Sequence, residues 1–153
     1  MTAHLNTLQT TTLHVLDQDE AVDFYCGILG FEVTNDVDMG FMRWLTIALP
    51  SDPEHHVLLS VPGAPMHDEA TSAQVRDLLT KGALGGLFLT CDDVEATYEV
   101  VRAAGAEITQ EVVEQPYGKD FGARDPFGNS VRFAQRVAAT NEEIQQHYDA
   151  ARA

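Results

Sequence analysis

Apolar and polar residues recur in the same order in two halves of the chain. Segments at residues 10–16 and 86–91 predict a strand at the start of each half. Each strand is followed by an apolar stripe at helical spacing, formed by Val22, Tyr25, Cys26 and Leu29 and by Val94, Tyr98 and Val101. These stripes predict helices over residues 19–29 and 94–104.

Three further strand signals, bounded by Gly, Pro or Asp, follow each predicted helix. They lie at residues 31–35, 41–49 and 55–61 and at residues 107–112, 119–124 and 129–136. The fold class predicted is therefore α+β, with two βαβββ modules. A short helix at residues 72–79 and a capped helix from Thr140 complete the pattern. Because four curled strands leave a concave face, we expect two modules side by side to form a cleft that holds the function.

An internal repeat supports this division. With an offset of 75 residues, Asp17, Glu20 and Ala21 fall on Asp92, Glu95 and Ala96 without a gap. An Asp followed three residues later by Glu is typical of a capping box, so Asp17 and Asp92 are predicted N-caps. The same offset relates Gly30 to Gly105, where each helix is expected to end.

Acidic residues outnumber basic ones by 24 to 9 in this chain of 153 residues, and the net charge is −15. That charge argues against nucleic acid and against an anionic membrane surface as partners, and it favours a cationic small molecule at long range. No apolar stretch is long enough to span a membrane, and we expect no secretion signal, because residues 1–6 show neither a basic nor an apolar region. The two cysteines form no Cys-x-x-Cys pair, so we expect a reducing, cytoplasmic setting.

Two local motifs narrow the fold further. One is Ala21-Val22-Asp23-Phe24-Tyr25, followed by Leu29-Gly30-Phe31, after the first strand. The other is the turn Asp125-Pro126-Phe127-Gly128-Asn129 before the last strand. Together they resemble the vicinal oxygen chelate (VOC) superfamily, which includes glyoxalase I, extradiol dioxygenases and the bleomycin and fosfomycin resistance proteins.

The resemblance implies a glyoxalase/bleomycin-resistance/dihydroxybiphenyl-dioxygenase-like fold over residues 8–136. We expect a single domain made of module one at 8–63, a connecting loop and helix at 64–85 and module two at 86–136, with a helical tail at 137–153. The resemblance also implies a homodimer. It leaves open whether the modules pair within one chain or swap between chains.

Enzymes of this superfamily hold a divalent metal with His, Glu or Gln on the first and last strands of each module. At those positions the chain offers Thr10, Leu59, the pair Gly85-Gly86 and Arg132. One hydroxyl and one fixed cation do not make a metal site. We therefore predict no metal ligands and no cofactor, with a divalent metal held by non-standard ligands as the alternative.

Ligand-contacting residues are predicted from strand parity, by which alternate residues share a face. These candidates are His14, Trp44, Leu59, Phe88, Thr90 and Arg132. His14 is either a satisfied wall residue or a ligand contact or proton relay, and Trp44 is either core or a stacking platform. Arg132 must pair with an anion, which is either an internal carboxylate or a group on the ligand.

Two functions remain open at this point. The first is a metal-free small-molecule-binding protein that sequesters a drug or metabolite, as bleomycin-resistance members of the superfamily do. The second is an enzyme, a lyase, dioxygenase or isomerase, that uses non-standard ligands or acid–base residues such as His14. An occluded cleft with no ligand is a third reading.

Overall fold

Two structural units make up the computed structural model, which describes residues 1–153. Unit 1 comprises Met1–Gly85 with Pro126–Asn129, and unit 2 comprises Gly86–Asp125 with Ser130–Ala153. None of the helices has the length and apolar character needed to cross a bilayer.

Unit 1 contains one four-stranded mixed sheet and two helices. Its elements are β1 (Thr10–His14), α1 (Gln18–Tyr25), β2 (Glu32–Asp38), β3 (Arg43–Leu49), β4 (Asp52–Ser60) and α2 (Glu69–Thr80). The sheet order is β1-β4-β3-β2, in which β1 runs parallel to β4 and the other pairs are antiparallel.

Unit 2 repeats this order. Its elements are β5 (Leu87–Thr90), α3 (Val94–Ala103), β6 (Glu107–Gln115), β7 (Gly118–Arg124), β8 (Ser130–Arg136) and α4 (Asn141–Arg152). The sheet order is β5-β8-β7-β6, again with the first pair parallel. The predicted α+β fold with two βαβββ modules is confirmed.

The first helix is shorter than predicted. It ends at Tyr25 rather than at residue 29. The N–H groups of Cys26 and Gly27 both donate to the Val22 carbonyl, at 2.8 and 3.2 Å. This shared acceptor replaces the regular ladder, so residues 26–29 form a turn instead of a further α-helical turn.

In the second module α3 begins at Val94, as the apolar stripe predicts, but its N-cap differs from the one that the repeat predicts. Its N-cap is Asp93, whose carboxylate accepts the Ala96 N–H at 2.9 Å, and not Asp92. In the first module the N-cap is Asp17, as predicted. The repeat therefore has an offset of 76 residues at this junction, while Gly30 and Gly105 keep an offset of 75 and equal φ values of 84°.

Each sheet has one face that its own helix covers, called here the helix face, and an opposite far face. The helix faces hold the buried cores, formed by Leu13, Leu45, Ile47 and Leu59 in unit 1 and by Phe121, Val131 and Phe133 in unit 2. In unit 2, Phe121 stacks on Phe133 at 4.6 Å and meets Tyr98 of α3 edge-on at 5.3 Å.

The far faces are described by rows of neighbouring residues, because cross-strand neighbours share a face. One far-face row is therefore Thr12, Leu58 and Thr46, and the matching row in unit 2 is Phe88, Arg132 and Gly122.

Candidate ligand site

A cavity of about 360 Å³ lies on the far face of the unit 2 sheet. Its walls include Phe88, Thr90, Tyr117, Arg132, Ala134 and, from α4, Ile144. The volume falls within the range that small-molecule sites occupy, and the lining is mostly apolar with a few polar groups, as such sites require. Unit 2 therefore contains a pocket of suitable size and composition for a small organic molecule.

A polar network forms one side of this cavity. Arg132 Nη2 donates to Asp120 Oδ2 at 2.7 Å and to Gln110 Oε1 at 3.0 Å. The Tyr117 hydroxyl donates to the same carboxylate oxygen at 2.7 Å. Gln110 and Gln115 donate to the other carboxylate oxygen, at 3.1 and 3.4 Å. Asp120 thus accepts from four side chains, and the network holds Arg132 in place.

Burial and hydrogen bonding act in opposite directions on Asp120. Its side chain is 2% exposed, and burial alone would raise its pKa. The hydrogen bonds from Arg132 and Tyr117 outweigh burial, so the pKa of Asp120 lies below its usual value. Burial and the bond to Asp120 raise the pKa of Tyr117. The tyrosine therefore stays protonated as the donor, and the aspartate stays ionised as the acceptor.

Three of the six predicted ligand residues meet at this cavity. Phe88, Thr90 and Arg132 all line it, as the parity of β5 and β8 requires. Phe88 is 86% exposed, an unusually large apolar surface for a strand residue. Of the two partners considered for Arg132, the internal carboxylate is present as Asp120.

Leu59 does not share a face with the other candidates. It pairs with Leu13 across β1 and β4, and both side chains lie on the helix face of unit 1. Leu59 is completely buried there. The parity assigned to β4 was therefore wrong by one residue, and Leu58 is the unit 1 counterpart of Arg132.

The remaining candidates, His14 and Trp44, lie in unit 1. Both occupy the far face, and the His14 ring lies 5.9 Å from that of His67, centroid to centroid. Trp44 is half-buried and pairs with Val37 across β2 and β3. A smaller cavity of about 210 Å³ in this unit is lined by other residues, among them Gln18, Phe41 and Met66.

Residues outside the predicted set complete the unit 2 cavity. Asp120, Tyr117, Arg136 and Ile144 line it and are not among the six candidates from the sequence, although the turn at residues 117–121 was a candidate to close over the cleft. Arg136 was accessible to the same parity argument, because it stands four residues after Arg132 on one strand. The contribution of Ile144 from α4 depends on tertiary packing, for which no local pattern exists.

The residues at the superfamily's metal positions do not fit a metal. On the far faces these positions hold Thr10, Leu58, Gly86 and Arg132. A side chain is excluded at Gly86, because its Cβ would lie 1.7 Å from the Ser130 carbonyl oxygen. No group of three or more His, Cys, Asp or Glu side chains is arranged to hold an ion. Of these residues only Thr10 offers a donor, a weak hydroxyl, and the fixed cation of Arg132 opposes metal binding.

Comparisons with known proteins agree with this architecture. UcmS2, a solved structure, is 40% identical and has a TM-score of 0.80, with 86% of this chain and 98% of that chain covered. TnmS3, an antibiotic binding protein from Streptomyces sp. CB03234, is 25% identical with a TM-score of 0.70, covering 89% of this chain and all of that one.

A comparison of sequences alone also finds a relative and a matching family. The protein YurT of Bacillus subtilis (strain 168) is 29% identical over 126 residues, which cover 82% of this chain and 96% of that protein. Residues 7–133 match the family model described as Glyoxalase/Bleomycin resistance protein/Dioxygenase superfamily. The chain belongs to this superfamily.

Proposed function

We propose that this protein binds a small organic molecule without a metal and sequesters it, as a drug- or metabolite-binding member of its superfamily. The observation that carries the proposal is the cavity on the far face of unit 2, with the exposed Phe88 in its wall. Its volume of about 360 Å³ admits a molecule of drug size, whereas the unit 1 cavity of about 210 Å³ lies below that range.

The donor set and one relative support the same proposal. Sequestration needs a shaped, largely apolar pocket and no catalytic group, and the superfamily's metal positions carry no usable set of ligands. TnmS3, which is similar over its whole length, is an antibiotic binding protein. We infer that this chain uses its fold for binding in the same sense.

Titration calorimetry with fused-ring aromatic compounds tests the proposal. We expect one-to-one binding of at least one such compound, and we expect Ala134→Trp, which fills the cavity, to abolish it. Phe88→Ala removes an aromatic wall and is expected to weaken binding by about 1–2 kcal/mol, or roughly five- to thirtyfold. Phe41→Ala is the matched control, because Phe41 is also an exposed phenylalanine but lines the unit 1 cavity.

Two further measurements separate binding from catalysis. We expect affinity to be unchanged by a chelator and the bound compound to be recovered intact after prolonged incubation. Affinity that requires a divalent ion, or conversion of the compound, contradicts the proposal and favours the enzyme alternative. The homodimer implied by the superfamily remains a prediction, and a monomer at micromolar concentration in sedimentation would contradict it.

A further inference from the structure

The unit 2 cavity has a charge opposite to that of the chain as a whole. The chain carries 24 acidic and 9 basic residues, with a net charge of −15. The charged residues of the cavity wall are Arg132, Arg136 and Asp120, which are two cations and one carboxylate. A long-range field that attracts cations thus surrounds a pocket that locally favours an anion.

One of these cations is uncompensated. Lys81, Lys119 and five arginines, namely Arg43, Arg102, Arg124, Arg132 and Arg152, form ion pairs, and Arg76 donates to the Pro62 carbonyl oxygen. The ninth cationic side chain, Arg136, is exposed and has neither an ion pair nor a hydrogen bond. In a chain so rich in carboxylates, this free guanidinium stands at the wall of the larger of the two cavities described above.

The two arginines of the cavity have different roles. Arg132 is 25% exposed and is neutralised by Asp120, so it fixes the shape of one wall. Arg136 stands four residues further along β8, on the same face of the strand, and its charge is available to a ligand. A guanidinium suits a planar carboxylate, because two of its N–H groups can donate in parallel.

We propose that the ligand of this cavity is an aromatic anion, with an ionised oxygen group at Arg136 and its ring system against Phe88 and Ile144. This inference rests on the proposed function, because it assumes that the cavity binds a small molecule. The apolar part of the wall, Phe88, Ala134 and Ile144, takes the ring, and the anionic oxygen of a carboxylate or ionised phenol accepts from the guanidinium.

The experiment compares three probes of one shape: anthracene-2-carboxylate, anthracene-2-carboxamide and 2-(aminomethyl)anthracene in its ammonium form. Calorimetry at pH 7.5 and low salt is expected to give about tenfold tighter binding for the carboxylate than for the amide. Arg136→Gln should reduce this preference to about twofold or less, as should raising the salt concentration to about 0.5 M. Arg102→Gln makes the same charge change on α3, away from the cavity, and should keep the preference.

Each contrary outcome has a distinct meaning. Equal binding of the carboxylate and the amide, or tighter binding of the ammonium compound, overturns the anion assignment and leaves the proposed function intact. A preference that survives Arg136→Gln but is lost in Arg132→Gln moves the anion contact to Arg132 and overturns the role given to Arg136. If none of the three probes binds, and the wider aromatic panel does not either, both this inference and the proposed function are overturned.

Discussion

The far faces of the two sheets occupy corresponding places in the repeat and carry different chemistry. Matching positions, given with unit 1 first, are Thr12 and Phe88, Leu58 and Arg132, Thr46 and Gly122, and Trp44 and Asp120. In unit 1 the polar groups are neutral: Thr46 Oγ1 bonds to the hydroxyl of Thr34 at 2.7 Å and accepts from Asn35 at 2.9 Å. In unit 2 the positions that match Leu58 and Trp44 hold an ion pair.

This difference shows that one backbone arrangement supports either a neutral or a charged wall. The charged wall is more demanding, because ions removed from water must be paired and hydrogen-bonded. Asp120 is satisfied by four hydrogen-bond donors. Gly122 leaves space for the Arg132 guanidinium, because a Cβ at this position would lie 3.2 Å from Arg132 Nη1. The larger cavity lies beside the charged wall, which is why the proposed site is placed in unit 2.

The largest expected effect comes from removing the cation of the charged wall. Arg132→Ala leaves the Asp120 carboxylate buried without its ion-pair partner, and we expect a loss of about 3 kcal/mol in the free energy of unfolding. Arg43→Ala in unit 1 is the control: Arg43 also forms ion pairs, but its two carboxylate partners, Asp19 and Asp36, are 84% and 47% exposed. Urea denaturation should show a much smaller loss for Arg43→Ala. Equal losses would remove the energetic contrast between the two units.

The sequence predicts the strand and helix order of both units because burial imposes a period on every element. Val94 and Val101 lie on one helical stripe, and both are fully buried in α3. The far faces are harder to predict, because a slip of one residue along a strand reverses every side chain. Such a slip put Leu59 in the place of Leu58.

Local sequence patterns also do not predict which residues of neighbouring strands lie opposite each other. The contact of Arg132 with Asp120 depends on the register of β7 against β8, in which Asp120 lies opposite Ala134. No spacing in the sequence specifies that register. The orientation of Trp44 could not be predicted either, because it depends on the pairing of β3 with β4.

The second expected effect concerns acid stability and isolates the carboxylate of the charged wall. Because the folded pKa of Asp120 is lowered, its stabilisation is complete above the unfolded value of about 3.9 and is lost as pH falls through the folded pKa. Asp120→Asn should therefore cost about 1–2 kcal/mol near neutral pH. The difference from wild type should shrink below about pH 4.

Urea denaturation from pH 2.5 to 7 measures this difference. Tyr117→Phe removes one of the four donors to Asp120 and should give a smaller change in the same direction. A constant difference across the whole pH range would show that ionised Asp120 does not contribute in the way its partners indicate.

The third expected effect examines the neutral wall. Thr46 is 1% exposed, and Thr46→Val keeps its shape while removing the oxygen that Thr34 and Asn35 bond to. We expect a loss of about 1 kcal/mol, because both partners are exposed and regain water. Thr12→Val is the control, since Thr12 is an exposed residue of the same face, and it should unfold at nearly the wild-type denaturant concentration. A loss in unfolding free energy for Thr46→Val as large as that for Arg132→Ala would mean that the neutral wall depends on its hydrogen bonds as strongly as the charged wall depends on its ion pair.

The smallest expected effect concerns His14, a titratable group at the edge of the neutral wall. Its Nδ1 atom is buried and has no hydrogen-bond partner. Burial lowers the pKa of His14, a backbone hydrogen bond at Ser60 opposes this, and the nearby His67 adds to the lowering. The unfolded chain therefore takes up a proton on His14 at a higher pH than the folded chain does.

Stability should accordingly decline as pH falls below about 6.5, the ordinary histidine value, and the decline from this group should end below the lowered folded pKa. His14→Gln removes this part of the pH dependence and is expected to flatten the unfolding free energy between about pH 6.5 and pH 5. His147→Gln, an equal change on α4, should retain the slope that His14 produces. If His14→Gln and wild type decline in parallel, protonation of this wall has no energetic cost. The contrast between a neutral far face in unit 1 and a charged one in unit 2 would then rest on Asp120 and Arg132 alone.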